Sequence, residues 1–214
     1  MTVEIDPLGV ETLSGDARLW QIYETTFPSS EREPKEVILE SLRRGAGLAV
    51  RARQAGATIG FATGHLLAEP PVVFLVYLAV EEHRRDQRFG EAIFEGFWEE
   101  GSRRCRKQGL TPLGMVWEVE IPEAGRTEEE IHQRKRRIHF FERMGGNLLR
   151  CAYNQPPVDG IRPVAMHLMF RPARGTALPE AGAIAAMVRA MYYEKYGEVN
   201  GISREILDQL LLAR

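Results

Sequence analysis

The chain has only two cysteines, Cys105 and Cys151, and almost no charge excess, with a formal net charge of −2. The cysteines stand far apart and match no metal-ligand or redox spacing. Two reduced thiols are the simpler reading and a single disulfide the other. The near-balance of charge gives no whole-molecule pull toward nucleic acid or acidic membranes. No uninterrupted apolar run approaches the ~20 residues that span a bilayer. Residues 2–6 lack a basic stretch followed by an apolar one, so no export signal is expected and a cytoplasmic protein is. There is no internal repeat and no low-complexity tract. What is present is ordinary: 214 residues, 44% hydrophobic and 27% charged. That suffices for one large domain, or one domain with an appendage, and a sizeable core.

Periodicity divides the chain into elements. Residues 3–5 suggest a short strand. Ser14 or Asp16 can cap a helix carrying Leu19, Trp20, Tyr23 and Phe27, which Pro28 ends. A second helix runs from Pro34 to Gly45. Strands follow at 48–52 and 57–67, joined by a tight turn at 54–56. The run at 72–80 is apolar at every position, which predicts a central strand covered on both faces. From Phe89 the period becomes helical, through Ile93, Phe94, Phe97, Trp98 and Cys105 to Gly109. Residues 113–121 alternate as a strand. Thr127 and Glu130 form a capping box for a helix ending at Gly145 and Gly146. Strands are expected at 147–153 and 164–170 with a loop at 155–163, then a helical stretch from Glu180 and a last helix capped by Ser203. The helix between the strands at 72–80 and 113–121 implies a right-handed parallel crossover, the other strands being antiparallel.

The most informative segment is the polar turn Val80-Glu81-Glu82-His83-Arg84-Arg85-Asp86-Gln87-Arg88-Phe89-Gly90-Glu91. It joins a buried strand to an amphipathic helix. The start of that helix offers unpaired backbone N–H groups and the positive end of a dipole, a natural cradle for a pyrophosphate. Gly90 lets backbone approach a ligand closely. The other reading is a strand-to-helix loop whose basic residues are simply solvated.

Order and content together resemble the coenzyme A-binding motif of the GNAT acetyltransferases: Arg or Gln, two residues, Gly, one residue, then Gly or Ala, after a strand ending in valine. The register that aligns Val80, Arg85 and Gly90 puts Arg88 where the first motif glycine belongs, a departure. A second register, Gln87, Gly90 and Ala92, fits the letters but adds two turn residues. Phe27-Pro28 with Glu31-Arg32 resembles the end of the family's first helix, and Phe140-Phe141-Glu142-Arg143-Met144-Gly145 a later family stretch. The resemblance covers roughly residues 15–172, and it rests on the order of loose motifs. It implies an α/β fold: a mixed, mostly antiparallel central sheet of about seven strands flanked by helices, with splayed strands 4 and 5. A C-terminal helical extension over 173–214 would follow the acyltransferase domain over 1–172 and pack on it, cover the acceptor site, or form a homodimer seam.

What the resemblance implies for chemistry is an N-acyltransferase, with acetyl-CoA as co-substrate and no metal. The pantetheine arm would lie along Leu78, Ala79 and Val80, with Arg85, Asp86, Gln87, Arg88, Phe89, Gly90 and Glu91 around the pyrophosphate. A backbone N–H near Val80 would stabilise the oxyanion. An ammonium with a pKa near 10.4 needs help in losing its proton. Glu118 and Glu120, two apart in an apolar strand, are the candidate bases. They point to one sheet face, where proximity would raise at least one pKa; a solvated sheet edge is the bland alternative. Where many family members have a tyrosine as general acid, this chain has Phe141; Tyr153 or His139 could substitute. The basic runs 103–107 and 134–137 read as solvated helix faces, the second also within reach of the coenzyme A 3′-phosphate. Nucleic acid is the weaker partner reading, no membrane is expected, and the acceptor is a small-molecule or protein amine. The competing reading keeps the fold and coenzyme A affinity but works as a sensor or partner subunit.

Overall fold

The structure is a computed structural model that describes residues 3–84, 87–158, 160 and 162–212, Ser30 by its backbone only. The chain forms two compact units. The first holds residues 1–67 and 73–111, the second 68–72 and 112–214. All of the helices expected beyond residue 173 fall in the second.

In the first unit, strand β1 (Glu4–Pro7) is followed by a one-turn helix α1 (Val10–Ser14) that the apolar pattern did not signal, then by α2 (Ala17–Thr26) and α3 (Lys35–Arg43). Asp16 is the cap of α2, its carboxylate accepting the Leu19 N–H at 3.0 Å. Phe27 is extended and ends the helix before Pro28, as the steric demand of proline requires. Strands β2 (Gly47–Gln54) and β3 (Ala57–Leu67) pair antiparallel, so β2 is longer than the expected 48–52. Ala55 and Gly56 both take positive φ, 50° and 81°, the signature of a two-residue hairpin turn. Strand β4 (Val72–Val80) completes the order β1-β2-β3-β4.

Helix α4 (Phe89–Lys107) packs on β1, β2 and β3. Its approach is close: a Cβ on Gly101 would lie 2.8 Å from Val73. The core beneath α2 and α3 gathers Leu13, Leu19, Tyr23, Leu39 and Phe61, all buried. Tyr23 meets Phe27, Phe61 and Tyr77 at ring-centroid distances of 5.7, 6.2 and 5.0 Å.

The second unit contains β5 (Gly114–Glu120), α5 (Glu128–Arg143), β6 (Asn147–Leu148), β7 (Asn154–Gln155), β8 (Val164–Pro172), α6 (Ala181–Ala190) and α7 (Arg204–Leu212). β8 lies antiparallel between β5 and β6, and β7 also pairs with it. The Thr127 hydroxyl accepts the Glu130 N–H at 3.1 Å, but Glu130 returns its bond to Arg126 rather than Thr127. The single strand expected over 147–153 is two short ones: the Cys151 N–H turns back to Leu149 O at 3.1 Å, and the chain bulges before regaining β8 at Tyr153. That bulge carries Tyr153 into the interior. Between α6 and α7 the chain winds as a π-helical turn, Met191–Gly197. The described residues therefore make eight strands, one more than the seven expected, because of the split. No helix among them is long and apolar enough to cross a membrane, and Cys105 and Cys151 are not joined by a disulfide.

Candidate active site

The turn after β4 belongs to the first unit. A short 3-10 turn, Glu82–Arg84, leads out of β4. Glu81 organises it: Arg18 pairs with its carboxylate, Arg84 reaches it at 3.2 Å and His83 lies 3.5 Å away. Arg85 and Asp86, both expected at the pyrophosphate, lie outside the described residues. Gln87 and Arg88 are exposed, Phe89 is buried, and Gly90 and Glu91 occupy the first turn of α4.

Arg88 caps α4 in the left-handed region, with φ 61° and ψ 13°. That conformation explains how arginine can stand where the motif has glycine. The backbone keeps the path glycine takes freely, and the arginine carries a strain of roughly 1–2 kcal/mol. Its guanidinium bonds Glu91 at 2.7 Å and is otherwise turned to solvent. Helix geometry leaves the first N–H groups of α4 aimed toward the turn, the arrangement that binds phosphate oxygens.

β4 is covered on both faces only as far as Leu75. Beyond it Val76, Leu78 and Val80 are half-exposed, while Tyr77 and Ala79 between them are buried. The expectation of a strand buried throughout is thus corrected: its C-terminal half presents one open face. The buried face holds the loop after α2. Tyr77 accepts the Glu33 N–H at 2.8 Å and donates to Glu31 O at 2.9 Å, and Tyr23 donates to Glu33 O at 2.9 Å. Burial raises both phenols above the usual tyrosine value, so they serve as neutral clamps on the Glu31–Glu33 backbone.

In the second unit, Glu118 and Glu120 do not share an environment. Glu120 is the last residue of β5, and the turn Pro122–Ala124 brings α5 back over it. Arg134 lies 3.2 Å from its carboxylate, and Arg137 also pairs with it. Glu118 instead sits among neutral donors. The Tyr153 hydroxyl donates to Oε1, Gln155 Nε2 donates to Oε2 at 2.7 Å, and the Tyr196 hydroxyl lies 2.9 and 2.8 Å from the two oxygens. Donors on every side suit an ionised carboxylate, which only accepts. Tyr153 is fully buried. Burial, with Glu118, Tyr196 and Tyr192 beside it, pushes its phenol well above the usual value, so it keeps its proton. Phe141 packs on Trp117 with ring centroids 4.9 Å apart, as part of the core. His139 is on the exposed surface of α5, 3.5 Å from Glu142 and away from this cluster.

Tyr196 and Gln155 were not among the residues singled out from sequence. Gln155 sits where a loop was expected, and Tyr196 falls in a segment read only as an apolar helical stripe. The tyrosine-dense stretch Tyr192-Tyr193-Glu194-Lys195-Tyr196 was the signal available.

No sequence-family model and no curated protein matches the chain. Solved structures do. A protein assigned to the GNAT acetyltransferase family from Bacteroides thetaiotaomicron superposes with a TM-score of 0.68 at 22% identity, over 94% of this chain and 99% of that one. An aminoglycoside 6′-N-acetyltransferase complexed with coenzyme A gives 0.60 at 15%, over 83% and 99%. The ribosomal-protein-S18-alanine N-acetyltransferase of Escherichia coli gives 0.55 at 19%, over 84% and 98%. Over nearly its whole length, this chain therefore has the mixed α/β fold of the GNAT acetyltransferases.

Proposed function

We propose that the protein is an acyl-CoA-dependent N-acyltransferase, moving acetyl from acetyl-CoA to a primary amine by direct attack. The observation that carries this reading is the left-handed Arg88 at the start of α4, a conformation glycine takes freely, at the position where the motif has glycine. The fold shared with solved acetyltransferases, one of them bearing coenzyme A, supports it. The N-terminal N–H groups of α4 would hold the pyrophosphate, and the open face of Leu78 and Val80 would receive the pantetheine arm.

The chemistry follows from the residues present. Glu118, ionised, takes a proton from the bound ammonium directly or through a water. The free amine forms a C–N bond at the thioester carbonyl, a backbone N–H stabilises the oxyanion, and the C–S bond breaks. Phe141 has no proton to give. A thiol pKa near 8.5 lets the thiolate leave unaided, so no acid is required. Glu120, held by two arginines, is a structural charge rather than a second base. The Glu118 carboxylate favours a cationic acceptor.

The test joins calorimetric titration with acetyl-CoA to turnover on a panel of a polyamine, an aminoglycoside, a lysine peptide and an N-terminal peptide. Micromolar binding that weakens with 3′-dephospho-coenzyme A, plus thiol release with one amine class, is expected. Glu118→Gln is expected to lower kcat by about 100-fold or more while leaving acetyl-CoA affinity within about twofold. Binding without turnover would favour the sensor reading, and no binding at millimolar ligand would remove both.

A further inference from the structure

We propose that Tyr196 is a positioning residue for Glu118, so that the segment beyond residue 172 supplies part of the reacting machinery. This rests on the acyltransferase reading above. The Tyr196 hydroxyl meets both carboxylate oxygens, at 2.9 and 2.8 Å, which fixes the rotation of the Glu118 side chain as well as its place. Gln155 Nε2 bonds Glu118 at 2.7 Å and lies 3.4 Å from the same hydroxyl, tying the two together. Tyr196 is 1% exposed and has no room to swing away.

The turn that carries Tyr196 is itself pinned from several directions. Glu194 accepts the Ala68 N–H at 2.7 Å, Lys195 Nζ bonds Asn200 Oδ1 at 2.7 Å, and the Tyr192 hydroxyl bonds Asn154 O at 2.5 Å. This is the π-helical stretch Met191–Gly197, a winding that is rare and often found at functional sites. A rigid support of this kind holds a reacting side chain to the tolerance that proton transfer needs. Within the second unit, the ionisable groups near Glu118 include Tyr153 from the bulge before β7, Tyr196 from the π turn, and Glu120 on its own strand, the last paired with Arg134 and Arg137 of α5. The β8 residue opposite Glu118 is Leu168, and that opposite Glu120 is Met166.

Tyr196→Phe removes only the hydroxyl. Tyr193→Phe is the control, since it removes a hydroxyl from the same turn that bonds Asp208 of α7 rather than Glu118. For Tyr196→Phe, kcat is expected to fall about tenfold, with KM for acetyl-CoA unchanged. The Glu118 carboxyl, followed by 13C NMR with glutamate labelling and assigned by its loss in Glu118→Gln, is expected to titrate at higher pH. A donor to its ionised form has been lost. Tyr193→Phe should move neither quantity. An unchanged kcat and midpoint in Tyr196→Phe, equal losses in both variants, or failure of Tyr196→Phe to fold at 25 °C would each overturn the proposal. The titration needs no acceptor, which separates the two ideas. A wild type that turns over no amine, yet has a Glu118 midpoint that depends on Tyr196, would overturn the acyltransferase reading and leave the cage as the finding.

Discussion

At the scale of single residues, Arg88 and Glu118 carry opposite lessons about substitution. Arg88 departs from a motif in its letter, yet takes a left-handed conformation that glycine adopts freely. Replacing it with glycine relieves roughly 1–2 kcal/mol of strain but gives the unfolded chain back about 0.4–1 kcal/mol of freedom. Arg88→Gly is therefore expected to match or exceed the wild type by up to ~1.6 kcal/mol in urea unfolding. Arg88→Val, β-branched at a positive φ, is expected to lose stability and coenzyme A affinity together; a valine variant as stable as wild type would show that the turn does not depend on this conformation. Glu118 was legible as an acid in an apolar strand. Of its neutral donors, Tyr153 was legible as a possible acid, but Gln155 and Tyr196 were not, because they arrive from a short strand and a π turn that no local period announces.

At the scale of elements, Asp16 joins three of them. Its carboxylate caps α2 through Leu19, accepts Arg51 Nη1 of β2 at 2.8 Å, and accepts the Thr58 hydroxyl of β3 at 2.8 Å. Burial works to raise this carboxyl, but Arg51, the Leu19 N–H and Thr58 outweigh it and hold it below its ordinary value of 3.8. A carboxyl depressed by folding stabilises the native state above its unfolded pKa, and that contribution is lost as pH falls through the folded one. The urea midpoint of the wild type is thus expected to drop between about pH 5 and 3, and Asp16→Asn, which keeps a good cap but not the charge, to drop less steeply. Parallel curves would show that other carboxyls, Asp6 with its Arg53 bond among them, carry the acid sensitivity.

At the scale of the whole molecule, the helices beyond Pro172 are more than a tail. Met187, Val188, Met191, Tyr192 and Tyr196 are buried, and Tyr196 reaches the candidate base. Ending the chain at residue 172 is expected to lower the thermal midpoint and to cost turnover at least the tenfold assigned to Tyr196, read by circular dichroism and thiol release. A truncated protein with both unchanged would make the extension dispensable.

The sequence by itself determined the order of the longer elements, a cap at Ser14 or Asp16, the ends set by Pro28 and Gly109, and the helix start at Phe89. Each depends on neighbours within a few positions, where steric limits and hydrogen bonds are local. Which arginines would hold Glu120, which tyrosines would face Glu118, and where β4 would open were decided by tertiary structure alone. Those outcomes hinge on contacts such as Glu118 with Tyr196, 78 positions apart. Packing brings such residues together, and no spacing along the chain encodes their meeting.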